Sequence, residues 1–67
     1  MLDPRHAALL EKHGEAVLSL TYRHVLYLRQ MGWTFNAIGE KYGHTRQRIQ
    51  QVERRALAKL ERAEVME

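Results

Sequence analysis

TFNAIGEKYGHTRQRIQQVERRALAKL, running from Thr34 to Leu60, decides the fold, because it reads as a short helix, a tight turn and a longer helix. Thr34 suits the cap of the short helix, with Trp33 before it and Ile38 four residues into it as a hydrophobic staple. Gly43 stands where that helix should stop, since glycine enters the left-handed conformation without steric cost. Thr45 then caps the longer helix after only Gly43 and His44. A three-residue turn with glycine between two helices is the helix-turn-helix pattern.

On a helical wheel of the longer helix, Ile49, Val52, Ala56, Leu60 and Ala63 share a narrow arc and predict a buried stripe. Gln47, Gln51, Arg54 and Ala58 lie opposite, with Arg48 and Arg55 along one edge and Gln50 on the other. The first turns therefore offer Arg46, Gln47, Gln50 and Gln51 to whatever the helix meets. Arginine reads guanine and glutamine reads adenine at the major-groove edge, each paired contact worth about 1–3 kcal/mol of discrimination. A solvated polar face is the plainer reading of such residues alone. The capped helix and glycine turn in front of them favour DNA.

From Leu20 to Leu60 the chain resembles the fourth region of bacterial sigma factors, the helix-turn-helix that recognises the −35 promoter element. The carrying residues are Thr45-Arg46-Gln47-Arg48-Ile49-Gln50-Gln51-Val52-Glu53, then Ala56-Leu57-Ala58-Lys59-Leu60, with LTYRHVLYLRQMG upstream from Leu20 to Gly32. The resemblance implies that Arg46 contacts a guanine and that Gln51 reaches bases. It implies phosphate contacts for Thr45, Arg48, Arg55 and Arg29. It also implies a hydrophobic groove that grips the flap-tip helix of RNA polymerase, for which Leu26 and Tyr27 are candidates. Gln47 departs from the family's glutamate and Gln50 from its next arginine, so the reading face differs from the usual one. The Gly32-Trp33 loop is shorter than in primary sigma factors and closer to that of the small alternative ones.

Sixty-seven residues allow one domain with a small core. We divide it into an N-terminal helix over 1–19, the family-like part over 20–60 and a fraying tail over 61–67. The expected fold is all-α with about four helices. Asp3 and Pro4 suit a helix start; Ala7, Leu10, Val17 and Leu18 give that helix an apolar face, and Gly14 leaves open whether it is continuous. Thr21 is the expected cap of the next helix, which Gly32 ends. Trp33, Phe35 and Tyr42 are expected inside, as a domain this small needs its aromatics buried. Gly39 is expected where the two helices of the motif cross closely.

The formal net charge is +3, and its placement matters more than its size. Six of the eleven lysines and arginines lie between His44 and Arg62, against two glutamates, Glu53 and Glu61. Such clustering is an electrostatic footprint for a polyanion, and the Glu-rich end is expected to steer DNA toward it by repulsion. With no cysteine there is neither a disulfide framework nor a thiolate metal site. His6, His13, His24 and His44 lack the short paired spacings of a zinc site. No nucleophile elbow, Gly-rich phosphate loop or paired carboxylate predicts catalysis or a cofactor. No apolar run is long enough to span a membrane and no secretory signal is visible, so the cytoplasm is the expected compartment.

The function expected is sequence-specific binding of double-stranded DNA in transcription regulation, probing the major groove with the helix from Thr45. Arg46, Gln47, Gln50 and Gln51 would read bases, while Arg29, Thr45, Arg48, Arg54 and Arg55 hold phosphates. The alternative is a stand-alone sigma-like protein, of a phage or mobile element, that binds RNA polymerase or a sigma factor as a regulator or inhibitor with little DNA binding of its own. Because a single domain reading one half-site binds weakly, a homodimer or docking on polymerase is expected with the DNA-binding reading. A fragment of a full sigma factor is a third reading, less favoured with Met1 so close to a helix start.

Overall fold

Asp3 begins the first helix as expected: its carboxylate accepts from the Arg5 N–H at 2.8 Å, and Pro4 brings no N–H that needs a partner. The computed structural model describes residues 2–66, so Met1 and Glu67 lie outside it. Four helices follow in order, α1 (Pro4–Val17), α2 (Leu20–Gln30), α3 (Phe35–Tyr42) and α4 (Arg46–Met66), with no strand among the described residues. The fold is all-α.

α1 runs through Gly14 without a break. Gly14 is buried, and a methyl group there would stand 2.8 Å from Leu10 Cδ1 and 3.7 Å from the Arg23 stem. The tight contact is with Leu10 of α1 itself, one turn earlier, while the Arg23 stem of α2 lies at ordinary van der Waals distance. The next cap differs from expectation. Ser19, not Thr21, caps α2, its hydroxyl accepting from the Tyr22 N–H at 3.3 Å. The reason lies one residue earlier: Leu18 takes an extended conformation that buries its side chain, and Ser19 is the first polar residue after it. Thr21 is left exposed in the first turn. α2 stops at Gln30, and Gly32, at φ 96°, reverses the chain. Its N–H bonds to the Arg29 carbonyl and that of Trp33 to the Leu28 carbonyl, both at 3.0 Å, the paired pattern of a glycine-capped helix end.

The core has two lobes joined by α4. Val52 and Ile49 pack with Val25, Leu28 and Ile38 from α2 and α3. Ala56 and Leu60 pack with Leu9, Leu10, Leu18 and Leu26, reached also by Leu2. Trp33, Phe35 and Tyr42 are half-buried against the first lobe, as a structural role requires. Ala63, the last member of the predicted stripe, is half-buried. α1 thus holds the distal half of α4 as α3 holds the proximal half.

The tail expected to fray is part of α4 among the described residues. Through Met66 the chain is helical, and Glu61 and Glu64 turn toward α1. His6 Nε2 lies 3.1 Å from Glu61 Oε1, His13 Nε2 2.7 Å from Glu64 Oε2 and Lys12 Nζ 3.5 Å from the same oxygen. With their carboxylates hydrogen-bonded to α1, Glu61 and Glu64 are poorly placed to steer DNA; Glu67 falls outside the described residues. The His13 hydrogen bond, opposed by desolvation and aided by the Lys12 charge, holds the Glu64 carboxyl below its ordinary value. A depressed carboxylate adds stability above the unfolded pKa and loses it as pH falls through the folded one. On acidification from about pH 5 to about pH 3, the thermal midpoint of the wild type should therefore fall further than that of Glu64→Gln. Parallel curves would contradict the pairing.

Candidate nucleic-acid interface

The turn between α3 and α4 is built from caps on both sides. Thr34 accepts from the Ala37 N–H at 3.1 Å, and Trp33 and Ile38 pack in one lobe as the staple requires. Gly43 is left-handed at φ 70°, and the N–H of His44 reaches the Gly39 carbonyl at 2.8 Å. Thr45 accepts from the Arg48 N–H at 3.1 Å, and α4 follows at once. Gly39 has a different duty from the one expected. A methyl group there would lie 2.6 Å from the His44 carbonyl oxygen. The approach that excludes a side chain is therefore that of the turn backbone rather than of a crossing helix.

Ile49, Val52, Ala56 and Leu60 are buried, so their opposite face must point outward. Arg46, Gln47 and Gln51 are exposed, while Gln50 is half-buried beside Phe35 and Leu57. Arg48 Nη1 approaches Gln51 Oε1 at 3.4 Å, which biases the amide so that its NH2 remains available to an acceptor. Arg54 and Arg55 are exposed. Thr45 already accepts through its hydroxyl oxygen, yet its O–H proton is free for a phosphate. Arg46, the first residue of α4, leans toward the start of α3 and lines a shallow cleft with Arg29, Thr34, Phe35 and Asn36.

Charge on this face is more one-sided than the sequence count implies. Glu53, the acidic residue of the proximal half of α4, is tied to Arg29 at 3.2 Å. Arg46, Arg54 and Arg55 make no ion pair among the described residues. The first turn of α4 carries no acidic residue, so the positive end of the helix dipole adds to the arginines.

One expectation about α2 needs correction. Leu26 cannot meet a partner, being 0% exposed within the core. The 100° step to Tyr27 brings that residue out to 47% exposure. Leu20 at 74% and Met31 at 73% continue its stripe at spacings of seven and four residues, with exposed His24 between. This apolar row was legible as a spacing, but only the packed helices show which face of α2 is free. Arg29, expected on a phosphate, is engaged within the fold, Nε donating to Glu53 and Nη1 to the Trp33 carbonyl at 2.7 Å, and it also lines the cleft beside Arg46.

The histidines are dispersed. Tyr42 and His24 Nδ1 share a hydrogen bond with their rings edge-to-face, joining α3 to α2, and His44 is exposed in the turn. No group of three possible ligands among the described residues could hold a metal ion. No helix among them is long and apolar enough to cross a membrane.

Two capped helices joined by a glycine turn, the second presenting arginine and glutamine outward, define a helix-turn-helix DNA-binding module. The model of the Sigma-70, region 4 family matches residues 14–62, and the chain belongs to that family. It is a family of DNA-binding helix-turn-helix domains in transcription, not one of enzymes. The match begins at Gly14, in the last turn of α1, so it takes in more than the Leu20–Leu60 resemblance. No curated protein and no solved structure matches the chain.

Proposed function

We propose that the chain binds double-stranded DNA sequence-specifically, in the cytoplasm and in the service of transcription, with α4 in the major groove. The observation that carries this reading is the outward placement of Arg46, Gln47 and Gln51 at the start of α4, with Glu53 turned away from them. Arg46, Gln47, Gln50 and Gln51 read base edges, and Thr45, Arg48, Arg54 and Arg55 hold the helix in register on phosphates. α3 crosses the backbone beside them. Selecting bound sites from random duplexes at low salt tests this. Enrichment of a short motif containing guanine and adenine supports it, whereas no enrichment over unselected duplex overturns it.

A second contact fits the same chain. The exposed row Leu20, Tyr27 and Met31 on α2 is an apolar stripe of the kind that lies against a partner helix. It supports docking on the polymerase flap-tip helix, or on a sigma factor, as the source of affinity that one half-site lacks; a second copy of the chain would serve the same end. Leu20→Ser/Met31→Ser should lose co-purification with polymerase and keep DNA binding at low salt. Undiminished polymerase binding would remove this contact from the proposal.

A further inference from the structure

Arg29 sits on the last turn of α2 and touches three elements at once. Nε donates to Glu53 Oε1 on α4 at 3.2 Å, and Nη1 donates to the Trp33 carbonyl, which ends the α2 cap, at 2.7 Å. Its guanidinium carbon stands 4.1 Å from the centroid of the Phe35 ring, at the first residue of α3. The two charged side chains are each only 16% exposed. A planar guanidinium with a carboxylate, a carbonyl and an aromatic face around it has a narrow choice of geometry. Few other residues constrain all three helices of the reading half together.

On α4, Glu53 follows Arg46 and Gln50 by seven and three residues, so the three form one row. A Glu53 released from Arg29 would face the same groove as those residues and could pair with Arg46 in competition with DNA.

We propose that Arg29 and Glu53 are positioning residues for base reading. Together they set the rotation of α4 against α2 and α3, and they keep the carboxylate of the reading half turned inward. Neither touches DNA in this role. The proposal rests on the DNA-binding reading above. It differs from a phosphate-contact role for Arg29 in sign as well as in mechanism. Removing an acidic charge beside a DNA-binding face ordinarily strengthens binding by relieving repulsion. Here, loss of the Glu53 charge should weaken site-specific binding.

The test compares wild type, Arg29→Lys, Arg29→Ala, Glu53→Gln and the Arg29→Lys/Glu53→Gln double variant on a selected duplex and a scrambled one, across a salt series. Measurement is made below each variant's thermal midpoint, with helix content checked. Each single variant should lower the ratio of site to scrambled affinity about tenfold, the equivalent of one good base contact. The salt slope should be unchanged, and the double variant should be no worse than the weaker single, because both act through one contact. Lysine should not rescue, since it keeps the charge but loses the fork and the stacking. A wild-type ratio in Arg29→Lys, a raised site affinity in Glu53→Gln, or additive losses would each overturn the proposal. So would a slope for Arg29→Ala shallower by about 0.9, the mark of a lost phosphate contact. A wild type that does not distinguish the two duplexes refutes the DNA-binding reading and this proposal with it. Wild-type discrimination left intact in the variants refutes the positioning pair alone.

Discussion

Arg46→Ala/Gln51→Ala is expected to cut discrimination between a selected duplex and a scrambled one sharply while leaving the fold intact. Both side chains are exposed, and neither supports the core, so the change in stability should stay within about 0.5 kcal/mol. Each paired base contact is worth about 1–3 kcal/mol, so losing two should cost the site roughly 30-fold or more. Scrambled duplex should lose far less, only what Arg46 contributes as a charge. Arg54→Ala/Arg55→Ala should behave the opposite way, weakening both duplexes alike. Anisotropy titrations of the two duplexes separate the cases. Equal losses on both in the Arg46/Gln51 variant would show that those side chains do not read bases.

Gly39→Ala should be the most damaging single methyl group added to the chain. In an ordinary helix, alanine in place of glycine gains up to about 1 kcal/mol. At this position the new carbon would lie 2.6 Å from the His44 carbonyl oxygen and 3.6 Å from the Thr45 carbonyl carbon. The His44 backbone must yield, and that backbone is the turn. Overpacking of this kind costs about 1–3 kcal/mol, a large share of the roughly 3–5 kcal/mol that a core of this size supplies. Gly14→Ala is the comparison, since its new methyl meets the end of a side chain, Leu10 Cδ1 at 2.8 Å, rather than backbone. Urea unfolding should show Gly39→Ala well below wild type and Gly14→Ala much nearer to it. A Gly39→Ala protein as stable as wild type would mean that the turn does not approach α3 as closely as the structure shows.

The reading half of the domain was legible because its signals are local. Thr34, Gly43 and Thr45 act within four residues of themselves, and the stripe Ile49, Val52, Ala56 and Leu60 needs no partner to be recognised. Where the outcome depended on distant chain, the sequence was silent or misleading. Ser19 and Thr21 are both competent caps, and burial of Leu18 against α1 and α4 chose between them. The helical end of α4 is held by histidines about fifty residues earlier, which no window on the tail contains. Leu26 and Tyr27 are neighbours, and only the packing of α1 and α4 on α2 buries one and frees the other. Arg29 shows the same limit most sharply. Its resemblance to a phosphate contact was a matter of position in the sequence, while its engagement depends on Glu53, twenty-four residues on.

The salt dependence of binding to a selected duplex tests most directly whether the exposed face of α4 is a DNA-reading surface. With about four to six phosphates neutralised, log K should fall against log salt at roughly −0.9 per phosphate, a slope of about −4 to −5. A slope near zero would contradict a DNA-binding role for the arginines of α4.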